Sequence, residues 1–168
     1  MRTVAMYAPS KTFNLAGLVG SYSIVYNSWL RHRMEKEISL SQCNSMNLLS
    51  MYALMGAYTE EGQQWLRELR QVLTENVRFA CDYIDMHFPG VCVSRPEGTY
   101  MLFVDCTEWC ARTGKTLDDI LKASYDVGVA LLDGRRFHGP CHLRLNLALP
   151  MSRVQEAFRR LKEYVFVE

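Results

Sequence analysis

Trp65, Leu69, Val72, Asn76, Phe79, Tyr83 and His87 recur at spacings of three and four until "FPG" at 88–90 stops the pattern. A period near 3.6 residues places these positions on one face of a long amphipathic helix. One helix cannot hide that much apolar surface alone, so the face must lie on something large. The chain after it supplies candidates. "VCVS" and "TYMLFVDC" read as strands around an "RPEG" turn, and "TLDDILKASYDV" reads as a helix opened by a Thr116/Asp119 capping box. "GVALL" and "CHLRLNLAL" are further strands, and "PMSRVQEAFRRLKEYV" is a closing amphipathic helix with Ser152 and Gln155 as a second capping box. The pattern predicts an α/β fold in which helices cover a small sheet.

The segment before the long helix has a different character. "TVAMY" (3–7) is strand-like, a bend at Pro9 and Ser10 carries Lys11, and "GSYSIVYN" (20–27) returns to strand composition. "NSWLRHRMEKEI" reads as a helix capped by Asn27 or Ser28. From Ser45 to Tyr58 the pattern is helical and rich in Met, Leu and Ala, which reads as plain core, with an adaptable binding face as the alternative. Two short strands form a poor sheet by themselves. The opening therefore reads as cut from something larger.

The totals exclude several classes of function. Nineteen basic residues against 18 acidic ones leave a net charge of +1, too little field to favour nucleic acid or an anionic membrane as partner. The apolar runs stop well short of the roughly 20 residues a bilayer span needs. Residues 1–8 lack the pattern of a signal peptide, so the cytoplasm is the expected compartment. Cys43, Cys81, Cys92, Cys106, Cys110 and Cys141 stand at unequal spacings with no Cys-x-x-Cys, as reduced thiols do. His138, Cys141 and His142 lie close in sequence, but strand neighbours face opposite ways, and core and turn roles suit them better than a metal.

"YAPSKTFNLAGL" is the stretch where chemistry enters, because its one lysine has aromatic, apolar and small neighbours. A surface lysine at a bend, its ammonium snorkelling to water, is the plain reading of Lys11. The chemical reading is an amine held partly dry, less basic and able to attack a carbonyl.

"APSKTFNLAGLVGSYSIVYN" resembles the cofactor-lysine segment of fold-type I pyridoxal 5'-phosphate enzymes, in particular the cystathionine β-lyase-like branch known as the MalY/PatB family of C–S lyases. "EEGQQWLRELRQVLTENVRFACDYI" is similar to that family's interdomain helix, "RPEGTYMLFVDC" to one of its strands, and "GPCHLRLNLALPMSRVQEAFRRL" to its Arg-Leu-Asn strand and final helix. The resemblance implies that Lys11 joins the cofactor aldehyde and later takes the substrate Cα proton. It implies that Arg144 grips the substrate α-carboxylate, where a planar fork makes two parallel bonds that lysine cannot. Without the family, Arg144 reads first as the partner of a structural carboxylate. Ser10 is a candidate donor to the cofactor phosphate or simply a turn residue, and Asn14 is expected to bond the turn backbone. Tyr100 reads as packing, and Gly134–Arg135–Arg136 as a solvated turn or a lip over the site.

The resemblance further implies pyridoxal phosphate as cofactor, a small amino-acid substrate, and the homodimer of the full-length family. The expected activity is α,β-elimination from cystathionine or a related L-cysteine S-conjugate. A class I/II aminotransferase is the nearest alternative, and a non-catalytic interaction module using the Met-rich segment is another. The expected organisation is a remnant of the large cofactor domain over 1–60, a linking helix over 61–88 and a small α/β domain over 89–168. Ala8 and Val19 stand where relatives commonly carry a phosphate-binding hydroxyl and an arginine. Only ten residues precede Lys11, whereas the family's pyridine-pairing carboxylate, stacking ring and Gly-rich phosphate turn all precede the lysine. The expectation is a C-terminal half.

Overall fold

The computed structural model describes residues 2–41 and 46–167, so the sequence readings at Cys43 and Ser45 lie outside the described residues. The chain divides into two compact units, Met1–Leu69 and Arg70–Glu168, with the boundary inside one long helix.

In the first unit, β1 (Ala5–Tyr7) pairs antiparallel with β2 (Tyr22–Ile24), and Tyr7 stands opposite Tyr22. Their rings stack at 5.3 Å, a cross-strand pair that fixes the hairpin register. α1 (Ser28–Ser41) starts where expected, with the Asn27 side chain accepting from the Leu30 N–H at 2.9 Å. α2 (Leu48–Ala57) is capped by Asn47, which accepts from the Ser50 N–H.

α2 corrects the reading of the Met-rich segment as core. Leu48, Leu49, Met51, Tyr52 and Met55 are all exposed, Leu49 at 70%. Ser50 is the buried residue of α2. Its apolar residues run around the helix rather than along one stripe, so a single neighbour cannot cover them.

α3 (Glu60–His87) is the long helix, and the Phe88 and Val91 N–H groups bond back onto its end to close "FPG". Its buried stripe is Asn76, Ala80, Cys81 and Ile84. The face is rotated from the one read in the sequence, because small Ala80 and Cys81 allow closer packing than Phe79 and Tyr83, which flank it half-buried.

The second unit is a four-stranded antiparallel sheet in the order β3 (Cys92–Val93), β4 (Met101–Asp105), β6 (His142–Asn146), β5 (Leu132–Asp133). Alternation decides its two faces. Leu102, Val104, Leu143 and Leu145 are buried in the core with Ile84, Phe88, Trp109, Ile120 and Phe158. Met101, Phe103, His142 and Arg144 occupy the other face. The strand expected over "GVALL" is confined to its end at Leu132.

Helices close the core. α4 (Thr107–Thr113) lies outside the sequence reading; Gly114 ends it at φ 70°, and at its start Cys106 is the N-cap without a side-chain cap while Asp105, one residue earlier, accepts from the Thr107 N–H. α5 (Leu117–Asp126) carries the expected capping box, with Thr116 and Asp119 bonding reciprocally. The second capping box is corrected: α6 (Met151–Arg160) starts at Pro150 with no side-chain cap, leaving Ser152 inside the helix. Pro150 is itself the N-cap, and a proline carries no N–H for a box to satisfy. α6 continues into a π-helical turn, Leu161–Val165, that buries Leu161, Val165 and Phe166.

Asn76 explains how α3 is keyed to this sheet. Fully buried, its Nδ2 donates to the Leu147 and Leu149 carbonyls, each at 2.8 Å, just past the end of β6. Replacing Asn76 by alanine strands both carbonyls, and the expected loss in urea unfolding is about 2–3 kcal/mol.

No described helix is long and apolar enough to cross a membrane.

Candidate active site

The loop between β1 and β2 is the setting of Lys11. Pro9 and Phe13 are buried, and the Phe13 N–H donates to the Pro9 carbonyl at 2.9 Å while the Leu15 N–H donates to that of Ser10 at 3.0 Å. Phe13 pins the loop by packing on Tyr58 and Trp65, with ring centroids at 5.4 and 6.3 Å. The Tyr22 and Tyr58 hydroxyls bond at 2.9 Å, which holds the base of the hairpin to the end of α2 and pushes up the Tyr22 phenol. Asn14 adopts a left-handed backbone (φ 54°), the conformation that asparagine tolerates best after glycine.

A tight, anchored loop therefore presents Lys11 from a fixed base. The side chain is exposed, as in the plain reading of a surface lysine at a bend rather than that of a partly dry amine: Pro9 and Phe13 turn inward and leave the lysine outside. Among the described residues Lys11 has no carboxylate partner. Ser10 is half-buried beside it.

Arg144 lies in the second unit, on β6, opposite Phe103 of β4 and Leu132 of β5. Because Leu143 and Leu145 point into the core, Arg144 points to the open face. Its guanidinium carbon sits 4.5 Å over the Phe137 ring, and Nε approaches the Met101 Sδ at 3.1 Å. No carboxylate pairs with it among the described residues, so the structural-carboxylate alternative is not what is found. A half-buried cation flanked only by a thioether and a ring is incompletely compensated. An added carboxylate would complete it.

Met101 and Phe137 are the neighbours that sequence reasoning missed. Met101 lies diagonal to Arg144 on the same face, a relation fixed only once the β4–β6 register is known. Phe137 ends the 3-10 turn Gly134–Phe137, which lies so close to β6 that a Cβ at Gly134 would collide with the His142 carbonyl oxygen. In this turn Arg135 pairs with Asp118 and Asp133, which raises the arginine and lowers the Asp133 carboxyl through their hydrogen bonds. Arg135 is thus committed to Asp133 beside the turn and to Asp118 of α5. Tyr100 is half-buried, and its carbonyl accepts from the Leu147 N–H at 2.9 Å.

Each residue by itself has chemistry that fits one part of a pyridoxal phosphate and amino-acid pair. Lys11 offers an uncommitted primary amine for an aldehyde, and Arg144 offers a guanidinium that lacks its anion. His138, Cys141 and His142 do not form a metal cluster among the described residues.

Residues 2–161 match the family model for aminotransferase class I and II. The chain is 26% identical over 163 residues to cystathionine beta-lyase PatB of Bacillus subtilis, covering 95% of this chain and 41% of that one. It is 24% identical over 168 residues to aspartate aminotransferase of Geobacillus stearothermophilus, covering 98% and 41%. Among solved structures it superposes on cystalysin of Treponema denticola, which contains pyridoxal 5'-phosphate, with a TM-score of 0.82 at 28% identity, covering 96% of this chain and 41% of that one. The chain thus spans about two-fifths of the length of these relatives.

Proposed function

Because the chain belongs to the aminotransferase class I and II family, we propose that it carries the cofactor lysine, Lys11, and the carboxylate-binding arginine, Arg144, of a pyridoxal 5'-phosphate carbon–sulfur β-lyase. The observation that carries this reading is the half-buried Arg144 guanidinium, held by Phe137 and Met101 with no carboxylate of its own among the described residues. Such a group is preorganised for an anion that arrives from outside, and the α-carboxylate of an amino acid matches its fork.

Lys11 would hold the cofactor through its Nζ, with the Ser10 hydroxyl as a donor to the phosphate. Pyridoxal phosphate, when bound, draws electron density from the substrate Cα as that carbon loses its proton. Arg144 binds the α-carboxylate and so fixes which substituent of Cα faces the lysine. The Lys11 Nζ, on its anchored loop, accepts the Cα proton as general base. The Cβ–S bond then breaks, the sulfur leaves with the electron pair, and with one water the products are a thiol, pyruvate and ammonia. Cystathionine and related L-cysteine S-conjugates are the substrates in this reading, as the name of the Bacillus relative suggests.

The proposal also assigns residues 1–60 to the large cofactor domain, 61–88 to the linking helix and 89–168 to the small domain, in an enzyme that works as a homodimer. An aminotransferase is the second reading, favoured by the match to aspartate aminotransferase. Cystathionine assayed for pyruvate and free thiol, against a 2-oxo acid assayed for amino transfer, separates the two.

The cofactor assignment is tested by titrating the chain with pyridoxal phosphate. A visible absorbance band is expected with the native chain and is lost in Lys11→Ala. A band that persists in Lys11→Ala, or none with either, ends this reading; the second outcome favours the exposed face of α2 as an interaction surface.

A further inference from the structure

We propose that Cys110 and Cys141 form a dithiol site that closes to a disulfide when it meets a small disulfide such as oxidised glutathione. The site is built independently of the cofactor chemistry, and wholly inside the second unit.

Cys106 organises it. As the N-cap of α4, Cys106 donates its N–H to the Cys141 carbonyl at 2.9 Å, which ties the start of that helix to the residue preceding β6. One turn along α4, the Cys110 N–H donates to the Cys106 carbonyl at 2.9 Å, so Cys110 projects on the same side as the Cys141 backbone. The two sulfurs meet at 3.5 Å across 31 residues of chain, with the Cys141 thiol donating to the Cys110 sulfur. Closing to the roughly 2.05 Å of a disulfide joins side chains that are already in contact.

Access separates these sulfurs from the other thiols. Cys81 and Cys106 are buried, whereas Cys110 and Cys141 are each partly open. Cys92 is exposed and has no sulfur in bonding contact among the described residues. Burial, followed by the hydrogen bond with Cys141, pushes the Cys110 thiol up to about 12. Cys110 is therefore slow to attack on its own, and pairing of the two sulfurs is what distinguishes the site.

The exchange balances without further reactants. One of the two thiols loses its proton to solvent and attacks a sulfur of the small disulfide, forming a mixed disulfide and releasing one small thiolate, which takes up a proton. The second thiol loses its proton and attacks the protein sulfur of the mixed disulfide, forming the Cys110–Cys141 bond and releasing the second small thiol. The protein gives up two electrons and the small disulfide gains them.

The test uses the full chain carrying Cys92→Ser, incubated with oxidised glutathione, acid-quenched, alkylated under denaturing conditions and mapped by mass spectrometry. The expected result is one cross-linked peptide pair containing Cys110 and Cys141, both shielded from alkylation until reduced. Glutathione left on either residue without a cross-link, a cross-link through Cys106, or alkylation of both sulfurs overturns the proposal. This readout needs no substitution at either sulfur, so it stands whether or not such variants fold. As a second measurement, phenylarsine oxide, whose arsenic takes two thiolates, is expected to bind the same chain one to one and to lose that binding in Cys110→Ser and Cys141→Ser alike. One-to-one binding that survives either substitution counts against the site.

Discussion

Trp109→Ala is expected to remove about 3–5 kcal/mol of unfolding free energy, a large share of the roughly 5–15 kcal/mol that holds a typical domain folded. Trp109 is 0% exposed and is the largest of the fully buried side chains. Its ring meets Phe166 edge-on at 5.2 Å and lies under the Lys115 ammonium at 5.3 Å. The Trp109 backbone N–H donates to the Gly90 carbonyl at 2.9 Å, at a left-handed glycine (φ 81°) where any Cβ would press on the Trp109 backbone at 3.1 Å. Truncation leaves a cavity between α4, the turn after α3 and the chain's last turn, and none of these can collapse without moving the others. Trp109→Phe separates ring packing from polar contact. The indole Nε1 has no hydrogen-bond partner among the described residues, so phenylalanine strands no acceptor and is expected to cost less than half as much. Urea unfolding of both variants checks this. Equal losses would mean that the part of the indole that phenylalanine lacks, rather than the shared ring, holds the site.

The second large effect concerns Arg144 and falls on binding, not folding. Arg144→Leu is expected to leave unfolding nearly unchanged, because Phe137 and Met101 on either side accept an apolar chain and no carboxylate is left unpaired among the described residues. Amino-acid binding to the cofactor-loaded protein, followed by its spectral change, is expected to weaken far more. A charge-assisted hydrogen bond contributes about 1.5–3 kcal/mol, and each 1.4 kcal/mol is about tenfold in affinity. Loss of a bidentate contact therefore predicts a fall of about 100-fold or more for leucine, with Arg144→Lys falling about 10- to 100-fold because the charge stays but the fork is lost. A structural role predicts the reverse: lowered stability with binding spared in what remains folded.

Much of this was legible in the sequence because the signals were local. The Thr116/Asp119 capping box, the Asn27 cap and the strand alternation in "CHLRLNLAL" each depend on residues within a few positions of one another, and each is found. Arg144 on the open face follows from Leu143 and Leu145 claiming the core. What escaped depends on distant partners. The flanking of Arg144 by Met101 needs the β4–β6 register, and the true face of α3 needs the sheet that Ala80 and Cys81 approach. The exposure of α2 illustrates the limit from the other side: periodicity shows that a helix is apolar, and only a structure shows whether anything covers it. Lys11 was found by its neighbours in sequence, but those neighbours, Pro9 and Phe13, turn inward and leave it exposed.

The assignment of Lys11 is tested most directly by incubating the chain with pyridoxal phosphate, reducing with borohydride and mapping the digest by mass spectrometry. The expected result is a stable pyridoxyl adduct concentrated on the peptide containing Lys11, at about one equivalent per chain. An adduct spread over Lys36, Lys115, Lys122 and Lys162 in proportion to their exposure, with no preference for Lys11, would contradict it.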